Sequence, residues 1–159
     1  MNIYFYDYPI GTIGIAENNG AICRVYINNR DVPPDFAITE TPLISDAASQ
    51  LNDYFTGKRC NFELLLSYSG TDFQRAVWSS LTEIPFGETR SYSDIAESVG
   101  NPRACRAVGM ANHRNPLPIF IPCHRVVNNN GKLGGYVGGV QAKQYLLDLE
   151  KRYDKTALL

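Results

Sequence analysis

Residues 91–112, SYSDIAESVGNPRACRAVGMAN, decide the fold of the second half of the chain. Ser91 is a favourable N-cap for a short helix, and Gly100 is a favourable point for that helix to halt. Asn101 and Pro102 then supply the cap and the first turn of the next helix. Two short helices joined by a glycine-containing turn predict a helix-turn-helix, although many such corners bind no ligand.

The second of these helices consists almost entirely of small residues, with Arg103 and Arg106 projecting between them. Small side chains permit another backbone to approach closely, so tight packing against a neighbouring helix is one interpretation. Isolated arginines on such a helix also suit a narrow DNA groove, where a long side chain can wedge into the base stack. The small residues are Ala104, Cys105, Ala107, Val108, Gly109 and Ala111.

The segment before this helix pair separates two domains. Residues 67–73, SYSGTDF, have the composition of a linker, and Thr71 with Gln74 predicts a capping box for a helix that ends before the sequence PFG. We therefore divide the chain into an N-terminal domain, residues 1–69, and a C-terminal domain, residues 70–159.

The N-terminal domain has strand-like alternation. The segments NIYFYD, GTIGIAE and AICRVYIN are separated by turn residues and predict an antiparallel meander. Thr41 as N-cap and Pro42 in the first turn predict a helix that stops at Gly57, and the apolar run NFELLL after it predicts another strand. The predicted fold class is α/β: a small N-terminal α/β domain with an antiparallel sheet, plus a mainly α C-terminal domain with a winged helix-turn-helix.

The composition limits the class of protein. A chain of 159 residues with 44% hydrophobic content can build one ordinary domain or two small ones. It has no run of about 18 apolar residues and no basic, apolar secretory signal, so we expect a cytoplasmic protein without a membrane partner, nucleoid-associated or, in a eukaryote, nuclear. The four cysteines lack CxxC spacing and only two histidines accompany them, which favours free thiols and no metal.

The net charge of −1 conceals an asymmetry between the two halves of the chain. Residues 1–70 carry 4 basic and 8 acidic side chains, whereas residues 71–159 carry 11 basic and 8 acidic ones. A solvated basic face and a surface for a polyanion both fit this pattern. The segment between Ser98 and Leu147 has no Asp or Glu, and its basic residues are Arg103, Arg106, Arg114, Arg125, Lys132 and Lys143.

Cys123 lies directly before His124 in the sequence IPCHRVV. A cysteine is a strong nucleophile only as thiolate, which requires a base or a positive field nearby. The final helix, predicted to begin near Val140, places Glu150 on its apolar face, where a carboxylate needs a partner. A Glu-His-water-Cys relay is one interpretation. The other interpretation is a buried structural cysteine beside a surface histidine, with Glu150 in a salt bridge at the helix end.

The segment around this cysteine resembles the O6-alkylguanine-DNA alkyltransferases, whose hallmark is P-C-H-R-V. IPCHRVV is preceded by RAVGMANHRNPLPI and followed by GGYVGG, and the blocks match without gaps from Tyr92 to Glu150. The resemblance covers residues 71–152. It implies a monomeric DNA-repair protein that binds double-stranded DNA, flips out an O6-alkylated guanine and moves the alkyl group irreversibly to its own cysteine, once per molecule and without a cofactor.

The resemblance also implies roles for single residues. Cys123 would be the acceptor, His124 its water-mediated base and Glu150 the acid that orients the histidine. Asn115 would brace the active-site turn, and Tyr92 would donate a hydrogen bond to the base and crowd the target phosphate. Arg106 would enter the base stack from a helix in the minor groove. The other implied DNA contacts are Arg103, Ala107, Gly109 and Arg114, and the implied pocket residues are Tyr92, Val126, Tyr136 and Val137.

Val137 departs from the family pattern, because members commonly have serine at that position. If the position contributes only its main-chain N–H, valine preserves the contact; if the hydroxyl matters, the range of alkyl groups differs. Asn128 stands where some relatives have a second cysteine. Two other classes of protein stay open at this point: a non-catalytic binder of alkylated DNA with the same fold, and a Cys-His hydrolase, which would need an oxyanion site and turnover.

Overall fold

Three long strands form the sheet of the first unit, Met1–Tyr68, in the computed structural model, which describes residues 1–154. β1 (Asn2–Tyr8), β2 (Gly11–Asn18) and β3 (Ala21–Ile27) pair as an antiparallel meander. The short β4 (Ala37–Ile38) pairs in parallel with β1, so the order is β3-β2-β1-β4. The predicted antiparallel sheet is confirmed.

Helix α1 (Pro42–Phe55) packs on the first three strands. The hydroxyl of Thr41 accepts a hydrogen bond from the N–H of Ile44 at 3.2 Å. Beyond the helix, Gly57 has a φ of 78°, a left-handed conformation that glycine adopts without strain. The predicted start and stop of this helix are therefore confirmed.

The strand predicted for NFELLL is absent from the described structure. This segment touches the sheet only through an isolated bridge between Leu66 and Ile22. Earlier in the segment, the side-chain amide of Gln50 on α1 accepts from the N–H of Glu63 at 2.8 Å and donates to its carbonyl at 3.2 Å. Gln50 thus occupies both main-chain groups of Glu63, and the segment reaches the sheet further on, where Leu65 O and Ser67 N–H pair with Ile22.

The second unit, Ser69–Leu159, is mainly helical within residues 69–154. The capping box of Thr71 and Gln74 is present at the start of the first helix, and a second box forms between Ser91 and Asp94. Reciprocal side-chain and main-chain bonds of this kind satisfy two free N–H groups at each helix start. The helices are α2 (Asp72–Thr82), α3 (Tyr92–Ser98), α4 (Cys105–His113) and α5 (Val140–Tyr153).

Helix α4 begins three residues later than predicted. Asn101 and Pro102 do not form its cap and first turn; instead the N–H of Ala104 donates to the carbonyl of Asn101 at 3.0 Å, which closes a separate turn. Ala104 is the N-cap and gives no side-chain hydrogen bond. The connection of the helix-turn-helix is therefore residues 99–104, longer than the sequence pattern indicated.

A small parallel pairing joins α3 to the middle of the unit. β5 (Arg90–Ser91), directly before α3, pairs with β6 (Val126–Val127). The indole N–H of Trp78 on α2 donates to the carbonyl of Ala111 on α4 at 2.8 Å. The strand pairing thus attaches the start of α3 to β6, and the indole hydrogen bond attaches α4 to α2. Within residues 1–154, no helix is long and apolar enough to cross a bilayer.

Candidate active site

Cys123 begins a one-turn 3-10 helix, Cys123–Arg125, that immediately precedes β6. The cysteine is 2% exposed. Its carbonyl accepts from the side-chain amide of Asn112 on α4 at 3.3 Å. The turn that carries the thiol is thus attached to the strand pair on one side and to the helix pair on the other.

Asn115 braces the segment that leads to this turn, as the resemblance implied. Its buried side chain donates to the carbonyl of Ile121 at 2.7 Å and accepts from the N–H of Leu117 at 2.9 Å. Between these two points, Ile119 has a φ of 75°, which strains a β-branched residue by about 1–2 kcal/mol. The two side-chain bonds of Asn115 hold the main chain on both sides of the strained residue.

Glu150 on α5 lies at the centre of a buried polar cluster. Its carboxylate is 2.5 Å from Nε2 of His124, and it accepts from Arg125 Nε at 2.7 Å and Nη2 at 3.1 Å. The N–H of Gly87 donates to the same carboxylate at 3.2 Å. Nη1 of Arg125 donates to the carbonyl of Ile84 at 2.7 Å. His124 and Glu150 are 0% and 1% exposed, so these charges are held away from water.

The electrostatics of the cluster favour a neutral histidine beside an ionised glutamate. Burial by itself would raise the pKa of Glu150, but His124 and Arg125 outweigh burial and hold that pKa well below its ordinary value. Burial lowers the pKa of His124, with Glu150 opposing. A neutral imidazole that donates Nε2–H to Glu150 has a lone pair on Nδ1. Among the described residues this buried Nδ1 has no hydrogen-bond partner, as expected of a base awaiting a proton.

The Cys123 thiol is in a setting that opposes ionisation. Burial raises its pKa to about 11, while the Asn115 amide and the Lys143 ammonium lower it in part. Lys143 lies on α5 and is itself 0% exposed. A thiolate therefore forms here only when a base takes the proton and nearby positive charge stabilises the sulfur.

The two candidate pocket tyrosines differ in their surroundings. Tyr92, the first residue of α3, is partly buried, and its hydroxyl would be 2.9 Å from a Cβ at Gly134, so only glycine leaves room for it there. Burial raises the pKa of Tyr92, as does the charge of Cys123. Tyr136 is buried, its ring centroid lies 6.5 Å from that of His124, and its hydroxyl has no partner within the described residues.

A surface pocket of about 360 Å³ opens between α3, α4 and the glycine-rich segment. Of the pocket residues that the resemblance implied, Tyr92 lines this cavity, whereas Val126, Tyr136 and Val137 do not. Cys123 is not part of its lining either. The buried thiol is therefore not exposed in this pocket. The lining residues are Tyr92, Ser93, Cys105, Arg106, Gly109, Asn128, Asn129, Gly134 and Gly135.

The outer face of α4 carries the implied DNA contacts. Arg106 and Ala107 are exposed, Gly109 is partly buried at the pocket, and Arg103 and Arg114 are exposed just outside the two helix ends. The inner face is buried and consists of Val108, Ala111 and Asn112. Small side chains and arginines thus share one solvent-facing side of this helix.

Several site residues were not identified from the sequence. Arg125 and Lys143 were counted among a basic run, yet both are buried in the structure and neither belongs to a basic surface. Asn112 and Trp78 also attach α4 to the site. The available signal for Lys143 was its spacing: it lies three residues before Leu146 and seven before Glu150, on the buried stripe of α5.

No cluster of three or more His, Cys, Asp or Glu suited to a metal ion occurs among residues 1–154. The polar groups around Cys123 are instead nitrogen donors, one imidazole and two tyrosine hydroxyls. Such a set suits acid–base and nucleophilic chemistry at the thiol.

Comparison with protein families gives two matches that together span most of the chain. Residues 72–152 match the 6-O-methylguanine DNA methyltransferase, DNA binding domain, and residues 1–68 match the 6-O-methylguanine DNA methyltransferase, ribonuclease-like domain. The second match extends the similarity to the N-terminal unit, beyond the segment in which the sequence motifs occur.

Individual relatives agree with these matches. The chain is 47% identical to a methylated-DNA–protein-cysteine methyltransferase of Methanosarcina barkeri, over 92% of this chain and 97% of the relative. It is 45% identical to the constitutive methylated-DNA–protein-cysteine methyltransferase of Bacillus subtilis, over 95% and 96% of the two chains. A crystal structure of Mycobacterium tuberculosis OGT in complex with DNA superimposes with a TM-score of 0.91 at 41% identity, covering 96% of this chain and 94% of the other.

Proposed function

The chain belongs to the 6-O-methylguanine DNA methyltransferase family, and on that premise we propose that it repairs DNA by transferring the alkyl group of an O6-alkylguanine to Cys123. The observation that carries this assignment is the pairing of a buried thiol with a neutral His124 that Glu150 orients. A thiol that is 2% exposed would be unreactive without a base to take its proton. The adjacent, oriented His124 can supply that base.

The proposed reaction is an in-line displacement at the alkyl carbon. His124 Nδ1 takes the Cys123 proton through a bridging water, and Glu150 stabilises the imidazolium that forms. A bond forms between Sγ and the alkyl carbon while the bond from that carbon to O6 breaks. The electron pair returns to guanine, and a proton donated by Tyr92 lets the base leave neutral. The product thioether has no base-labile bond, so each molecule reacts once.

The base must leave the duplex to reach a thiol that is 2% exposed. We infer that α4 enters the minor groove and that Arg106, which lines the pocket from the exposed face of α4, takes the place of the extruded nucleotide. Tyr92, on the opposite side of the same pocket, then meets the flipped base. Arg103 and Arg114, beyond the two helix ends, pair with phosphates.

Selection of guanine rests on main-chain groups. We infer that the carbonyls of Cys123 and Val126 accept from the exocyclic amine, which adenine lacks at that position. The Cys123 carbonyl already accepts two hydrogen bonds, from the Asn112 side chain and from the main-chain N–H of Val126, whereas the Val126 carbonyl accepts one from Lys143. A carbonyl oxygen has two lone pairs, so a site remains on the Val126 carbonyl, and at Cys123 the base would share the carbonyl with one of the present donors. Val137 contributes its main-chain N–H to the alkylated oxygen, which a valine preserves.

Intact-protein mass spectrometry tests the function directly. After incubation with duplex DNA that contains O6-methylguanine, the protein mass should rise by one methylene, and peptide mapping should place the adduct on Cys123. Cys123→Ser should give no adduct, whereas Cys105→Ser, which changes a cysteine at the pocket rim, should react fully. An unchanged wild-type mass would exclude the transfer, and release of a product with repeated turnover would indicate a hydrolase.

A protein that binds alkylated DNA without transferring the alkyl group would show DNA affinity but no increase in mass. The affinity of Cys123→Ser for DNA, measured across salt concentrations, separates binding from transfer because phosphate contacts give a steep salt dependence. The proposal also includes a monomeric, cytoplasmic protein that meets DNA as a single chain. Sedimentation without DNA checks the monomer, and a dimer would contradict it.

A further inference from the structure

Lys143 is a fully buried cation that the proposed reaction does not yet use. Its side chain is 0% exposed, and lysine is almost never so buried without a compensating group. Nζ donates to the carbonyl of Val126 at 2.6 Å and to that of Gly135 at 3.2 Å. Among residues 1–154, no carboxylate forms an ion pair with it. The two carbonyls accept from two of the three ammonium donors and leave the positive charge without a counterion.

The two carbonyls belong to segments on either side of the proposed reaction. Val126 follows the turn that carries Cys123, and Gly135 lines the surface pocket together with Tyr92. Lys143 therefore ties the main chain behind the thiol to the main chain at the pocket mouth. Removing the ammonium group would free both segments at once.

The charged groups around the thiol show which of them is available to it. Glu150 is committed to His124 and Arg125, and in that group the carboxylate and the guanidinium cancel. His124 is neutral before the reaction, and both tyrosines are protonated since burial raises their pKa values. The Lys143 ammonium, held at the Val126 carbonyl directly after the Cys123 turn, lowers the pKa of the Cys123 thiol and that of His124, and burial lowers its own pKa to about 8, so the ammonium form persists at neutral pH.

We propose that Lys143 is a positioning residue for alkyl transfer, whose ammonium group holds the Val126 and Gly135 carbonyls in place and is the counterion of the Cys123 thiolate. This inference rests on the proposed function. No new bond or redox step is involved: the cation lowers the free energy of the thiolate that His124 generates, in a site where water cannot do so. Lys143 touches neither the substrate nor the sulfur's proton.

Three substitutions separate charge from hydrogen bonding. Lys143→Met removes both, Lys143→Gln keeps a donor without charge, and Lys143→Arg keeps charge and donors. Single-turnover transfer from O6-methylguanine duplex is measured from about pH 6 to pH 10. For Met and Gln we expect the rate at neutral pH to fall on the order of tenfold and the rising limb to move up by about one pH unit, whereas Arg keeps the wild-type limb. Lys132→Met, an exposed lysine of the same unit, is the matched control.

The outcomes of this experiment test the role of Lys143 separately from the proposed function. If the wild type forms no adduct, the proposed function fails. If the wild type reacts and the Met and Gln variants keep its pH limb, even at a lower rate, Lys143 has only a structural role and the inference is wrong. Should Lys143→Met not fold, as judged by thermal unfolding and by DNA affinity, the Gln and Arg pair decides alone, because both retain hydrogen bonds to the two carbonyls.

Discussion

Arg125 and Arg106 belong to the same unit of the chain and serve opposite purposes. Arg125 is buried and gives Nε and both terminal nitrogens to Glu150 and to the carbonyl of Ile84. Arg106 is exposed on α4 beside the pocket. One arginine is part of the interior of the protein, and the other is free to meet a polyanion. The comparison teaches that position in the fold, and not residue type, separates a structural cation from a binding one.

The largest expected effect comes from removing the counterion of the buried arginine. Glu150→Gln leaves Arg125 buried without a negative charge and His124 without its orienting acceptor, so we expect a loss of about 3–5 kcal/mol in unfolding free energy and loss of transfer. Urea denaturation measures the first and the mass assay the second. Glu88→Gln, which breaks an exposed pair with Arg90, should cost less than about 1 kcal/mol. Similar losses in both variants would contradict the comparison.

Acid should weaken the buried cluster in a defined direction. Burial would raise the pKa of Glu150, but His124 and Arg125 lower it below its ordinary 4.5. The carboxylate therefore stabilises the fold fully above about pH 4.5, and this stabilisation is lost as the pH falls further. Unfolding free energy measured from pH 6 downwards should drop by on the order of 2 kcal/mol more in the wild type than in Glu150→Gln. Parallel curves would show that Glu150 is not the group that titrates.

Substituting the exposed arginine should change binding and leave the fold intact. Arg106→Ala should alter the unfolding free energy by less than about 0.5 kcal/mol, because the side chain is exposed. Affinity for duplex DNA in the Cys123→Ser background should fall about tenfold, with the salt slope reduced by about one. Transfer from a free alkylated base, which needs no flipping, should be nearly unchanged. Equal loss on duplex and free base would refute the flipping role.

The sequence predicted most of the local elements, and it predicted that Glu150 lies on the buried face of the last helix. Capping boxes at Thr71 and Ser91 depend on residues three positions apart, which a linear pattern contains in full. The helical spacing of α5 likewise put Glu150 on the buried face, where the structure has it beside His124. Both successes concern interactions whose geometry follows from one element, or from one element and a motif.

One failure is local, because the turn that Ala104 closes onto Asn101 delays the start of α4; the others concern contacts between distant parts of the chain. The segment at residues 61–66 looked like a strand, but Gln50, eleven or more positions away, takes its main-chain bonds. Arg125 looked like part of a basic surface because its partner Glu150 lies 25 residues further on. The composition of the chain cannot show that Lys143 is buried and bound by two main-chain carbonyls. A side chain that pairs with main chain is invisible to charge patterns, since every residue offers the same carbonyl.

The burial of Cys123 also affects how long an unreacted molecule stays active. Under the proposed function, each molecule has one alkyl acceptor and uses it in one transfer. That acceptor must not react with peroxide or other electrophiles beforehand. At 2% exposure, with burial raising its pKa to about 11, the sulfur stays a protonated thiol away from oxidants, which attack thiolates. Cys105, which lines the pocket, is only partly buried. Burial thus protects the Cys123 thiol from oxidation until the protein meets its substrate.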